Sequence, residues 1–339
     1  MKEMSKIKIY QSKSISFVKQ EKEFLENLRH PFMVNMYYSF QDNENLYFIL
    51  DYLQGGDLRY HINRNKDFLK KNVNIFREET IKFIISNIIL ILEYLYNNRI
   101  IHRDLKPENL VFDKKGYLYL TDFGIACKYN SSNNNIIHSG GTPFYVAPET
   151  LLKKANNFTV DYFSLGIIIY ELIFNKTPYN GKNAKDILEE VLYKEIIIKY
   201  SDIPNNHFFN SNICDFVNRL LKRKSEERLG YNGIYEIKNH PWLNNVKWDK
   251  ILKKEIKSPF IITENENYDF KNANKEEIID YENDDIIKIN ENRFFKNFYF
   301  NYYEKYNTIK NKIEQSEKDD NISNIDDMST MNTRRKNKL

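Results

Sequence analysis

His102-Arg103-Asp104-Leu105-Lys106-Pro107-Glu108-Asn109 is followed, thirteen residues beyond Asn109, by Asp122-Phe123-Gly124 and then by Ala147-Pro148-Glu149. Each motif alone arises often by chance, but the three in this order across about fifty residues leave little room for coincidence. Upstream, Phe17, Phe24 and Leu28 share one face at helical spacing, which predicts a helix over about Ser16 to Leu28, stopped by His30-Pro31. A short strand precedes it at the very start. Two β-rich runs follow, Val34 to Phe40 and Leu46 to Asp51, and the polar turn Gln41-Asp42-Asn43-Glu44-Asn45 makes them a hairpin. After Gln54-Gly55-Gly56-Asp57 the pattern from Leu58 to about Trp242 is mostly helical, with apolar stripes at Ile81 to Tyr96, Val160 to Phe174 and Ile213 to Leu221. The expected class is α+β and bilobal, a small β-rich lobe before a large helical one, with the Gly-Gly segment as hinge.

The 339 residues, 41% hydrophobic, are enough for one large domain of two lobes and a tail. Lys+Arg is 51 against Asp+Glu 47, a net charge of +4 with the signs interspersed, so nothing favours nucleic acid as a partner. Cys127 and Cys214 stand far apart, which excludes a disulfide framework or a cysteine metal site and suits a reducing compartment. The expected setting is cytoplasmic or nuclear. Met1-Lys2-Glu3 opens no signal-peptide-like stretch, and Ile81 to Tyr96 is interrupted by Lys82, Ser86, Asn87 and Glu93, so it reads as a buried helix rather than a membrane span. Lys66 to Asn74 is polar and expected to be a surface loop. Beyond Trp248 the apolar periodicity fades. Phe294 to Tyr303 is too aromatic for a free tail and is expected to dock, whereas Gln315 to Leu339 is polar and expected to be disordered, its basic end Arg334 to Lys338 reading as solvated tail.

Phosphoryl transfer requires an acceptor hydroxyl held in line with the γ-phosphate of ATP, and divalent ions to neutralise the phosphates. Asp104 supplies a carboxylate to face the hydroxyl, and Asp122 with Asn109 supplies a carboxylate and an amide to hold Mg²⁺. That ion prefers hard oxygen ligands and keeps several waters, so two protein ligands suffice. The ordered motifs match the protein-kinase set. With Asn45 to Tyr52, Gly55 to His61, Gly141-Thr142-Pro143-Phe144-Tyr145, Asp161 to Gly166, Arg228-Leu229-Gly230 and His240-Pro241-Trp242, the chain resembles a protein kinase of the AGC group and is most similar to its YANK branch. The resemblance runs from residue 1 to about residue 300. It implies a partial small lobe over 1–53, a large lobe over 54–243, an AGC-type tail over 244–314 and a disordered end over 315–339.

The resemblance also implies roles. Lys2 stands where the family has the lysine that grips the α- and β-phosphates, and Glu21 where a helix glutamate pairs with it, a role that its register eleven residues before Phe32 favours over a solvated helix charge beside Glu23 and Glu26. Leu50 would be the gatekeeper, Asp51 to Leu53 would offer backbone groups to adenine, Asp57 would reach the ribose, and Val111 would join the nucleotide-binding set. Lys106 would stabilise the transferring phosphate, as expected of a Ser/Thr kinase, and Thr142 would buttress Asp104 and Lys106. Asp161 would hold the catalytic-loop backbone, and Glu149 would pair with Arg228 as a buried, structural ion pair. Asp57, Glu108 and Glu171 stand at family positions that read basic residues upstream of the phosphoacceptor, so the expected partners are protein substrates of that kind, acted on by a monomer.

Three departures qualify the resemblance. The family's glycine-rich turn over the phosphates has no counterpart here, since the ten glycines begin at Gly55. A missing preceding segment is the expectation, and with it poor ATP binding and no activity of the 339-residue chain until that segment is restored. An inactive kinase-fold scaffold is the alternative, opposed by the presence of Lys2, Glu21, Asp104, Lys106, Asn109 and Asp122; a small-molecule kinase would lack the segment Gly141 to Glu149. His138 replaces the usual phosphorylatable Thr, leaving Ser139, Ser131, Ser132 and Thr142 nearby. In the tail, Lys257-Ser258-Pro259-Phe260, Tyr268-Asp269-Phe270 and Phe295 to Phe300 resemble the segment that wraps the small lobe, with Tyr299 at a usual Ser/Thr position.

Overall fold

The Asp42 carboxylate accepts from the N–H groups of Glu44 (2.8 Å) and Asn45 (2.7 Å), closing the polar turn and setting the register of the hairpin around it. This computed structural model describes residues 1–69, 75–129, 143–154, 156–181, 183–262, 294–308 and 310. In chain order the helices and strands are β1 (Lys2–Ser5), α1 (Lys6–Gln11), α2 (Ile15–Asn27), β2 (Met36–Gln41), β3 (Asn45–Leu50), α3 (Leu58–Leu69), α4 (Glu78–Asn97), β4 (Ile100–Ile101), β5 (Leu110–Phe112), β6 (Leu118–Leu120) and β7 (Cys127–Lys128). There follow α5 (Pro148–Leu151), α6 (Thr159–Phe174), α7 (Ala184–Tyr193), α8 (Asn212–Leu220), α9 (Tyr235–Lys238), α10 (Trp248–Leu252) and β8 (Phe300–Asn301). The chain divides into two compact units, residues 1–12, 36–50 and 282–339 in the first, and 13–35 and 51–281 in the second.

The first unit is an antiparallel sheet in the order β1-β3-β2-β8. Leu46 and Phe48, two apart on β3, are fully buried, as the period-2 pattern of a half-buried strand requires. Lys2 lies opposite Phe48 on β1, and Leu50 opposite Met36 at the end of β3. The aromatic cluster does dock, onto this sheet. Phe298 stacks on Phe48 with centroids 5.5 Å apart, its carbonyl accepts from Ser39 Oγ (2.7 Å), and the Phe295 carbonyl accepts from Gln41 Nε2 (2.9 Å). Phe295 and Phe298 are both buried. Helix α1 follows β1 directly, with Lys6 buried and its Nζ donating to the Asp42 carbonyl (2.6 Å). The sequence pattern did not announce it.

The second unit is mainly helical. In α4, buried residues run around every face from Thr80 to Leu95, the signature of a core helix rather than a surface one. Among the described residues no helix is long and apolar enough to cross a membrane. Two short ladders interrupt the stretch read as mostly helical: β4 pairs with β7, and β5 with β6. The second has a local cause, since Asp113 Oδ1 accepts from Lys115 N (2.8 Å) and Tyr117 N (3.0 Å), turning β5 back into β6. The surface loop expected over Lys66 to Asn74 needs correction. Helix α3 continues to Leu69 because Leu58, His61, Ile62 and Asn65 bury one face; residues 70–74 lie outside the described residues, as do Tyr268 to Phe270 and 315–339.

Candidate catalytic site

The β5–β6 hairpin assembles the centre. Leu110 pairs with Leu120, so the flanking residues meet: Thr121 donates to the Asn109 carbonyl from both its N–H (2.9 Å) and its Oγ1 (3.1 Å). Asp122, the next residue, has a left-handed backbone (φ 62°), and its Oδ1 accepts from Gly124 N at 3.1 Å. Behind it Phe123 is fully buried, its ring 5.3 Å from His102 and 6.3 Å from Phe24 of α2.

Asp104 is gripped from within its own loop. Its Oδ2 lies 2.7 Å from Lys106 Nζ and 3.0 Å from Asn109 Nδ2, and that amide nitrogen also donates to the Asp104 carbonyl (2.9 Å). With both acceptors on the nitrogen side, the amide is fixed with its oxygen turned away from Asp104, and among the described residues neither that oxygen nor Asp104 Oδ1 has a hydrogen-bond partner. From below, Asp161 accepts from His102 N and Arg103 N, both at 2.8 Å. Burial pushes the Asp161 carboxyl pKa up, and the cationic neighbours and these two N–H groups offset only part of that. They hold Arg103 in a left-handed conformation (φ 68°) while its Nε donates to the Ile125 carbonyl (2.7 Å).

The residues of the second unit expected to face the nucleotide are brought together by the Gly-Gly segment, which zips onto β5: Gly55 N donates to Phe112 O (2.7 Å) and Phe112 N to Gly56 O (2.8 Å). A Cβ on Gly55 would sit 2.5 Å from Phe112 Cβ, and Gly56 has φ 76°, so neither position takes another residue without strain. The zipper sets Asp57 opposite Val111. Asp57 Oδ1 accepts from Tyr60 N (2.7 Å), capping α3, and burial raises its pKa. Asp51 accepts from Asn35 through N–H (2.9 Å) and side-chain amide (2.7 Å). The backbone N–H and C=O of Leu53 make no hydrogen bond among the described residues. Glu21 is 5% exposed on the buried face of α2, whereas Glu23 is exposed and Glu26 half-buried, so it is not one more solvated helix charge. Lys2 and Leu50 belong to the first unit, and Thr142, His138 and Ser139 lie outside the described residues.

Glu149 and Arg228 form the expected buried pair, bidentate at 2.6 and 3.0 Å. The acids expected to read substrate are less free than the sequence implied. Arg59 Nε donates to Glu108 (2.8 Å), its Nη1 and Nη2 donate to the two oxygens of Glu171 (2.5 and 3.2 Å), and its Nη2 also bonds the Tyr145 hydroxyl, which donates to Glu171 (2.5 Å).

Residues 1–243 match the protein kinase domain family. The chain belongs to the protein kinase family. The kinase is 36% identical over 261 residues to a probable serine/threonine-protein kinase of Dictyostelium discoideum, covering 77% of this chain and 54% of that one. It is 37% identical over 280 residues to the serine/threonine-protein kinase sgk-1 of Caenorhabditis elegans (81% of this chain, 57% of that one), and 36% identical over 263 residues to the serine/threonine-protein kinase Sgk1 of Xenopus tropicalis (75% and 59%). It thus spans a little over half the length of these relatives. Sequence reasoning gave Arg59 and Tyr145 of this kinase no role. The available signal was a cation two residues after Asp57 on the helix that Asp57 caps.

Proposed function

We propose that this chain is an ATP-dependent protein serine/threonine kinase of the AGC group, nearest in its motifs to the YANK branch. The observation that carries the reading is the clamp on Asp104. A carboxylate with one oxygen held by Lys106 and Asn109 and the other open among the described residues is oriented to take a hydrogen bond from an incoming hydroxyl, and Lys106 supplies positive charge beside the phosphoryl group in flight. Glu149, tied to Arg228, and Asp161, tied to the loop backbone, keep this constellation rigid.

Asn109 and Asp122 fit Mg²⁺: the fixed amide presents oxygen, the carboxylate is another hard ligand, and Thr121 ties the two segments together. Bound Mg²⁺ would neutralise charge on the ATP phosphates. For the nucleotide, Leu53 offers backbone groups unengaged among the described residues, Asp57 and Val111 face each other across an isolated bridge, and Asp51 and Leu50 adjoin Leu53 in sequence. By resemblance Lys2 is assigned to the phosphates, the buried Glu21 to the place of the family's helix glutamate, and Thr142 to buttressing Asp104. The domain reading remains 1–53, 54–243, 244–314 and 315–339, with a monomer acting on protein substrates in the cytoplasm or nucleus. A preference for basic residues upstream would draw on Asp57, Glu108 and Glu171, of which the last two already hold Arg59.

The test is transfer of the labelled γ-phosphate of ATP to serine and threonine peptides in Mg²⁺. Asp104→Asn should lower kcat by about 10²- to 10⁴-fold with its melting temperature preserved. Transfer that survives Asp104→Asn at full rate would refute the assignment.

A further inference from the structure

Two carboxylates four and sixty-seven residues beyond Asp104 converge on one internal cation. Glu108 follows the catalytic carboxylate by four residues, a span of at most about 14 Å even when extended, so side chains of a peptide a few residues from its acceptor hydroxyl come within reach of it. Glu171 is 4% exposed in the wall of α6, and a buried carboxylate needs a cation or several donors to remain ionised. Here the need is met by Arg59, whose planar guanidinium spreads three nitrogens over Glu171, Glu108 and the Tyr145 hydroxyl. Burial works against the charge on Arg59, but the hydrogen bond to Glu171 and the surrounding negative groups outweigh it and hold its pKa above the ordinary value.

We propose that Arg59 is a specificity-determining residue: its guanidinium occupies the carboxylate seat of Glu108 and Glu171, so the peptide substrate has no arginine to place there. This rests on the protein-kinase reading above. The seat has the chemistry of an arginine receptor, a bidentate buried carboxylate with a second carboxylate at its rim, and the rim is open, Glu108 being 42% exposed. Filled from within, it carries one net negative charge in place of two. An arginine-bearing peptide would have to displace a guanidinium of equal charge that is already attached and pays no association entropy. The favoured substrate is thus a peptide with a neutral residue at the position that faces this seat, while Asp57, whose carboxylate caps α3, is left to act separately.

The experiment measures kcat/KM of the 339-residue chain for serine peptides in which a single arginine is moved one position at a time through an alanine background upstream of the serine. Arg59→Ala vacates the seat; because it also strands a buried carboxylate, Arg59→Gln, which keeps a hydrogen-bonding group there, is measured beside it. In at least one of these variants a new arginine-favoured position should appear, with a gain of about tenfold or more carried mainly by KM, and adding Glu171→Gln should abolish it. Positional profiles of the variants that match the wild type overturn the inference alone. Absence of ATP-dependent transfer to any peptide by the wild-type chain, both as it stands and with a glycine-rich segment added ahead of Lys2, overturns the kinase reading and this inference with it.

Discussion

Removing Glu149 should destabilise the helical unit far more than an ordinary surface change, because Arg228 cannot follow it into neutrality. Arg228 is 1% exposed, and its five donors are spent on the Glu149 oxygens, the Thr159 carbonyl (2.8 Å), the Lys222 carbonyl (3.0 Å) and weaker neighbours. Glu149→Ala removes the only carboxylate bonded to it among the described residues and leaves a guanidinium, which does not deprotonate in proteins, facing neutral acceptors. Breaking such a pair costs about 3–5 kcal/mol, about a fifth or more of the roughly 5–15 kcal/mol that holds a domain together. Glu149→Gln, which keeps one acceptor, should cost about 1.5–3 kcal/mol. Replacing both partners by apolar residues of similar volume should cost less than Glu149→Ala alone, since no charge remains to be buried. The assay is urea unfolding followed by tryptophan fluorescence. The two tryptophans, Trp242 and Trp248, both lie in the helical unit, so the signal reports on it and not on the sheet. A loss below about 1 kcal/mol for Glu149→Ala would refute the reasoning.

Acid should weaken the same unit through His61. Its ring is 2% exposed and its Nε2 lies 2.6 Å from the Gly55 carbonyl, and burial pushes its pKa down to about 4. The unfolded chain, with an ordinary histidine value near 6.5, binds the proton more readily, so this stability is complete above that pH and is lost as pH falls towards 4, by about 2 kcal/mol at pH 5. His61→Gln should flatten the pH dependence measured between pH 7 and 5 by the same fluorescence assay; an unchanged slope would count against it. In the sheet unit, Phe298→Ala should cost about 3–5 kcal/mol locally and accelerate hydrogen exchange in β2 and β3, because it removes the ring stacked on Phe48. Equal exchange rates in wild type and variant would exclude that role for the tail.

Much was legible along the chain because its signals are local. The polar turn at 41–45 set the hairpin, the one-sided face of Phe24 and its neighbours set α2, and the apolar run from Ile81 set α4, each within a residue or three of its observed bounds. Helix α1 and the two short ladders escaped because elements of two to six residues carry too little periodicity to be read. The loop expected over 66–74 failed at its start because composition said polar while one buried face of α3 carried the helix on.

The sequence by itself determined the chemistry on offer: which carboxylates, amide and lysine stand near one another along the chain, and in what order of motifs. Tertiary structure alone decided which charges are spent. Arg59 meets Glu171 across 112 residues, Ser39 meets Phe298 across 259, and Glu21 rather than Glu23 turns inward. Spacing governs neighbours on one helix or strand, whereas partners this distant are chosen by the packing of the core, which brings a buried charge to whichever opposite charge the fold delivers.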